Sequence, residues 1–178
     1  MTNIPMIDLK TQYKHIESEV LEGMKKVLES TQFINGYAVK NFTEALKEYQ
    51  ECNYVIPCAN GTDALQIALM ALDLKPGDEV ITTPFTFVST AEVIALLGLK
   101  VKFIDIEPDT FNMDIDQLRE TVSEQTKCII PVHLFGQCCN MEAISDIAKP
   151  FNIPIVEDNA QAIGASYHFR DDSMAKSE

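Results

Sequence analysis

The sequence predicts an α/β protein built as a three-layer sandwich, with a mostly parallel central sheet and helices on both faces. Short apolar runs alternate with segments of helical period between residues 54 and 157, the pattern left by strands joined through crossover helices. Turns containing glycine or proline separate the segments, as in Lys75-Pro76-Gly77-Asp78 and at Gly98. Such residues stop a helix before the strand that follows it.

Two helices come first. Ile16, Val20, Met24, Val27 and Leu28 recur at helical spacing, and Val39, Phe42, Leu46 and Tyr49 do so again after the Asn35-Gly36 break, so both helices are expected to be amphipathic. The alternation then assigns strands to 54–58, 79–82, 101–104, 128–132 and 153–157. Helices are assigned to 64–72, 89–97, 115–122 and 141–148. There is no internal repeat, and the one clear shift in composition is the polar stretch 170–178.

The chain has 178 residues with 46% hydrophobic content, enough for one full-sized core. Its N-terminal residues carry charged and polar side chains throughout, so no signal-peptide core or apolar span of about 20 residues is found there. A cytoplasmic location without membrane partners is expected. Cys52, Cys58, Cys128, Cys138 and Cys139 show neither CxxC pairs nor an interleaved histidine pattern, which predicts reduced structural thiols and no metal site. A formal net charge of −13 disfavours nucleic acid as a partner, since such binding draws on clustered lysine and arginine. It leaves room for a small anion held by local donors such as a helix N-terminus.

In open α/β sheets, ligands bind beyond the carboxyl ends of the strands. The segment Ala59-Asn60-Gly61-Thr62-Asp63-Ala64-Leu65 is a turn of small residues running into a helix. Its backbone N–H groups, a hydroxyl and the positive helix end suit a phosphate, although an ordinary helix capped by Thr62 or Asp63 would look the same locally. Neither GxGxxG nor GxxxxGK[ST] is present, which argues against a nicotinamide-dependent oxidoreductase and a nucleoside triphosphatase. The 83–90 loop holds two aromatics, Phe85 and Phe87. Phe87 could cover a planar heterocycle, while a lone loop phenylalanine is more often core.

Two acids, Glu157 and Asp158, close the apolar run 153–156. Strand alternation sends them to opposite faces, so one of them addresses a given ligand. A carboxylate beside a pyridine nitrogen keeps that nitrogen protonated, and the protonated ring accepts electrons. Asp158 has the chemistry for this, with a capping or solvated acid as the alternative. His133, also at a strand end, is expected to support the site rather than to act as its base.

In this order, these segments resemble the sugar aminotransferase family called DegT/DnrJ/EryC1/StrS, a branch of the fold-type I pyridoxal-phosphate (PLP) enzymes. The resemblance spans roughly residues 6–169, through Ile7-Asp8-Leu9, Phe33-Ile34-Asn35-Gly36, ANGTDAL, PFTFVSTAEVIALLG, PVHLFGQ and EDNAQAIGA. It implies a fold-type I large domain with PLP as cofactor. The phosphate would sit at Gly61 and Thr62 with Asp63 nearby, the ring against Phe87 and the pyridinium on Asp158. Gln161 would lie by the ring hydroxyl oxygen, to which an amide can donate. The CANGTDALQIALMAL stretch most resembles members that aminate UDP-linked N-acetyl keto sugars, including keto-uronic acids. Glutamate as amino donor, a nucleotide-sugar substrate and a homodimer are further implications.

The departure from the family pattern concerns the Schiff-base lysine, which follows the EDxAQ motif by some tens of residues in an aromatic- and serine-bearing segment. No such segment occurs here, and Ser173-Met174-Ala175-Lys176 lies too near Asp158 and lacks the aromatic context. Residues 1–178 are therefore expected to be a partial PLP-binding large domain with N-terminal helices, incomplete at its C-terminus, lacking the small domain and inactive alone. Two alternatives stay open: a noncatalytic fragment serving as a binding or pairing module, and a PLP-dependent sugar dehydratase of the same family.

Overall fold

The computed structural model describes residues 6–170, and the chain forms two compact units that divide between Pro57 and Cys58. The first contains α1 (Leu9–Ser30) and α2 (Tyr37–Tyr49). Asp8 caps α1 by accepting from the Thr11 N–H at 3.1 Å and the Thr11 hydroxyl at 2.7 Å. Those bonds stabilise the ionised form and hold the Asp8 carboxyl below its usual range. Before α2, Asn35 takes a left-handed conformation (φ 49°), and a Cβ at Gly36 would run into the Gln32 carbonyl. The Asn-Gly break is thus a steric requirement of the turn. Neither helix has a buried residue.

The strand expected at 54–58 does not form. Tyr54 and Ile56 are exposed, the stretch has no sheet partner among the described residues, and Pro57 has no N–H to donate. An apolar run becomes a strand only when a neighbour completes its ladder.

The second unit runs α3 (Gly61–Ala71), β1 (Glu79–Thr82), α4 (Ser89–Leu96), β2 (Lys100–Phe103), α5 (Ile115–Thr121), β3 (Thr126–Ile129) and α6 (Met141–Ala148). β1 lies between β2 and β3, parallel to both. Alternation along the strands sorts their side chains into two cores. Val80, Cys128 and Ile130 join Leu65 and Leu69 of α3 and Val93 and Ile94 of α4 on one face. Ile81 and Ile129 join Leu118 of α5 and Ile144 of α6 on the other. This is the three-layer arrangement that the alternation of strands and helices predicts. Two turns brace its lower edge, where Gly77 (φ 95°) donates its N–H to the carbonyl of Gly98 (φ 72°) at 3.0 Å.

The expected strand 153–157 is reduced to two bridges, Ile129 with Ile155 and Val132 with Asp158. Ile129 donates to the Pro154 carbonyl at 3.1 Å, Val156 to Ile129 at 3.0 Å, Asp158 to Pro131 at 2.9 Å and His133 to Asp158 at 3.1 Å. The bond missing from this parallel series is the one residue 131 would donate, and proline has no N–H. The same gap ends β3 at Ile129, short of the expected Val132.

Candidate active site

A cavity of about 710 Å³ opens beyond the carboxyl ends of the strands, lined among others by Gly61, Thr62, Phe87, Asp158 and Gln161. Its size is within the range of small-molecule and cofactor sites. Five of the six residues expected to hold a cofactor therefore border one space, although they come from three segments separated by up to 100 positions.

At one end lies the start of α3. Its cap is Asn60, not Thr62 or Asp63: the Asn60 side chain accepts from the Asp63 N–H at 2.9 Å and donates to the Asp63 carboxylate at 3.1 Å. The reciprocal pair occupies Asp63, which is not part of the cavity lining. Among the described residues, the N–H groups of Gly61 and Thr62 have no acceptor, and a Cβ built on Gly61 would meet nothing within 4 Å. Two unpaired donors at a positive helix end thus belong to residues that line the cavity, an arrangement that suits an oxyanion.

Phe87 is 71% exposed, so it is not the core residue that its local sequence suggests. It lines the cavity wall. Phe85, by contrast, stacks on Phe111, with ring centroids 5.7 Å apart.

Asp158 is only 6% exposed. Its Oδ2 accepts from the Thr90 hydroxyl at 2.7 Å, and its Oδ1 accepts from the Ala160 N–H at 3.3 Å. An ionised carboxylate offers about four acceptor positions, so capacity remains on a buried acid at the cavity wall. Thr90 carried no signal in the sequence, because its partner is 68 positions away.

Glu157 takes a different partner. Its carboxylate lies 2.7 Å from His133 Nε2, and His133 itself is 2% exposed. His133 Nδ1 accepts from the Cys139 N–H at 3.0 Å. An acceptor nitrogen carries no proton, so the hydrogen sits on Nε2 and is donated to Glu157. His133 is thereby committed to two internal bonds and does not line the cavity.

Gln161 Oε1 accepts from the Phe135 N–H at 2.7 Å. A backbone donor requires the oxygen there, which leaves the Gln161 NH₂ as the group free to donate. Asn112, absent from the sequence-based candidates, ties the same loop by donating to the Gln137 and Cys138 carbonyls at 3.2 and 3.1 Å. Among the described residues no lysine lines the cavity, and Lys176 lies outside the described residues.

The chain and its fold have close counterparts among known proteins. The chain is 48% identical over 166 residues to the pleiotropic regulatory protein of Geobacillus stearothermophilus, covering 93% of this chain and 45% of that protein. It is also 48% identical over 164 residues to UDP-2-acetamido-2-deoxy-3-oxo-D-glucuronate aminotransferase of Pseudomonas aeruginosa, covering 92% and 46% respectively. The crystal structure of NtdA from Bacillus subtilis with bound cofactor PMP superposes with a TM-score of 0.88 at 33% identity, covering 93% of this chain and 38% of that one. The fold is thus that of the PLP-dependent fold-type I aminotransferases. More narrowly, residues 14–172 match the DegT/DnrJ/EryC1/StrS aminotransferase family, and the chain belongs to it. It spans less than half the length of these relatives.

Proposed function

We propose that this chain forms the cofactor cradle of a PLP-dependent aminotransferase that moves an amino group from glutamate to a nucleotide-linked keto sugar. A UDP-linked N-acetyl keto sugar or keto-uronate is the substrate class, on the strength of the 48% identity to the Pseudomonas aeruginosa enzyme. The observation that carries the reading is Asp158: a buried acid on the cavity wall, tethered by two donors and with room for a third. A protonated pyridine nitrogen is a donor that fits that place.

When bound, the cofactor supplies a carbonyl to carry nitrogen and a ring to take up electrons. The residues of this chain do the rest of the holding. Gly61 and Thr62 donate backbone N–H groups to the phosphate, and Phe87 covers a ring face and excludes water from it. Gln161 donates its amide hydrogen to the ring oxygen, and Asp158 keeps the proton on the ring nitrogen. Asp63 and His133 act behind these groups, the first by fixing Asn60 at the helix start and the second by fixing Glu157. A homodimer in the cytoplasm, working in polysaccharide biosynthesis without nucleic-acid or membrane partners, completes the proposal. The net charge of −13 supports the exclusion of nucleic acid.

The test is fluorescence titration of the chain with pyridoxamine 5′-phosphate, which needs no covalent attachment. Saturable one-to-one binding is expected, weakened about tenfold or more in Asp158→Asn, the loss typical of a charge-assisted hydrogen bond. An Asp158→Asn variant that binds as tightly as the parent would remove Asp158 from the site.

A further inference from the structure

We propose that Thr90 is the positioning residue of this site: its buried hydroxyl holds the Asp158 carboxylate in the orientation that meets the ring nitrogen. The inference rests on the cofactor reading above. Thr90 is fully buried in the first turn of α4, and one hydroxyl proton has several acceptors within reach. Asp158 Oδ2 is at 2.7 Å, the Phe87 carbonyl at 3.4 Å and Thr86 Oγ1 at 3.3 Å. The proton goes to the carboxylate, since that bond is both the shortest and charge-assisted. The Thr86 hydroxyl is then left to donate to Thr90 Oγ1, which extends the series from Thr86 through Thr90 to Asp158. Each bond in such a series polarises the next.

The Asp158 backbone is already pinned on both sides, by the Pro131 carbonyl at 2.9 Å and the His133 N–H at 3.1 Å. The freedom left to the residue is rotation of its side chain. Of the two donors that limit this rotation, the Ala160 N–H is long, at 3.3 Å, so the Thr90 hydroxyl is the principal restraint. Without it the carboxylate would be free to turn, and binding would have to order it again. Thr90 need not touch the cofactor to matter, and it does not line the cavity, whereas Thr86 and Asp158 do.

The experiment uses two ligands: pyridoxamine 5′-phosphate and the analogue in which the ring nitrogen is replaced by CH. Binding of each is measured for the parent chain, Thr90→Val, Thr90→Cys, Thr90→Ser and Asp158→Asn, with circular dichroism as a check of folding. If Thr90 acts through Asp158 on the ring nitrogen, Thr90→Val weakens pyridoxamine phosphate roughly tenfold and leaves the carbon analogue within about twofold. Thr90→Ser, which keeps the hydroxyl, recovers most of the affinity. Thr90→Cys replaces the oxygen with a weaker donor of similar size and serves if valine is not tolerated. Equal losses for both ligands would make Thr90 a packing residue, and no loss for either would make it irrelevant; each overturns the proposal. The Asp158→Asn arm separates the two levels of the reading. If Asp158→Asn does not distinguish the ligands, the assignment of Asp158 itself fails. If it distinguishes them and Thr90→Val does not, only the role of Thr90 falls.

Discussion

The helices of the two units share a helical period but differ in apolar content, α3, α4 and α6 being richer in apolar residues than α1 and α2, and they meet different fates. α6 buries Met141, Ile144 and Ala148, and α4 buries Val93 and Ile94. α1 and α2 bury nothing, and Ile16, Met24, Leu28 and Phe42 remain exposed. Beyond composition, the sheet separates them. In the second unit each apolar stripe meets a strand face that is itself apolar, and burial follows. A helical period therefore announces a face without saying what covers it.

The largest expected effect lies in the sheet unit. Ile129 is fully buried among the side chains of one core, so Ile129→Ala should cost about 2–5 kcal/mol through lost transfer energy and a residual cavity. Urea unfolding followed by circular dichroism measures it. A cost below 1 kcal/mol would mean that the sheet core is no better packed than the helical unit.

A second effect comes from two thiols buried in the same unit. Desolvation pushes Cys128 from the ordinary 9.0 up to about 12 and Cys139 up to about 11. Below pH 9 both thiols are protonated in folded and unfolded chains alike, and their contribution to stability is fully present. As pH rises past 9 the unfolded chain releases these protons first, so stability falls until the folded thiols ionise as well. The urea midpoint should drop between pH 9 and 11, and less steeply in Cys128→Ala. An unchanged slope in that variant would show that other groups cause the loss.

The smallest effect belongs to α1. Met24 is 58% exposed, and Met24→Ala should change stability by no more than about 0.5 kcal/mol. A cost matching that of Ile129→Ala would mean that the exposed face of α1 is covered in solution, and would erase the contrast between the units.

Much of this was legible from neighbouring residues alone. The spacing of Met141, Ile144 and Ala148 marks α6 to the residue, Lys75-Pro76-Gly77-Asp78 marks the turn before β1, and the small-residue segment at 59–62 marks a helix start with free N–H groups. These features are local, set by side-chain period, by the missing N–H of proline and by the conformations open to glycine. The cap was misplaced by two or three positions because Asn60, Thr62 and Asp63 can all cap a helix. Only backbone geometry shows that Asn60 reaches the Asp63 N–H.

By itself, then, the sequence determined the order of the helices and of the three strands β1 to β3, the helix start that suits an anion, and the presence of an acid at the end of the 153–158 segment. The tertiary structure decided which groups meet. Whether 153–157 forms a full strand depends on the register that sets Val156 against Pro131, and 54–58 finds no strand to pair with among the described residues. The partner of Asp158 is Thr90, and that of Glu157 is His133, 24 positions away. A hydrogen bond needs its two atoms within about 3 Å. Over such separations along the chain, only the stacking of α4 and the strands on one sheet sets that distance.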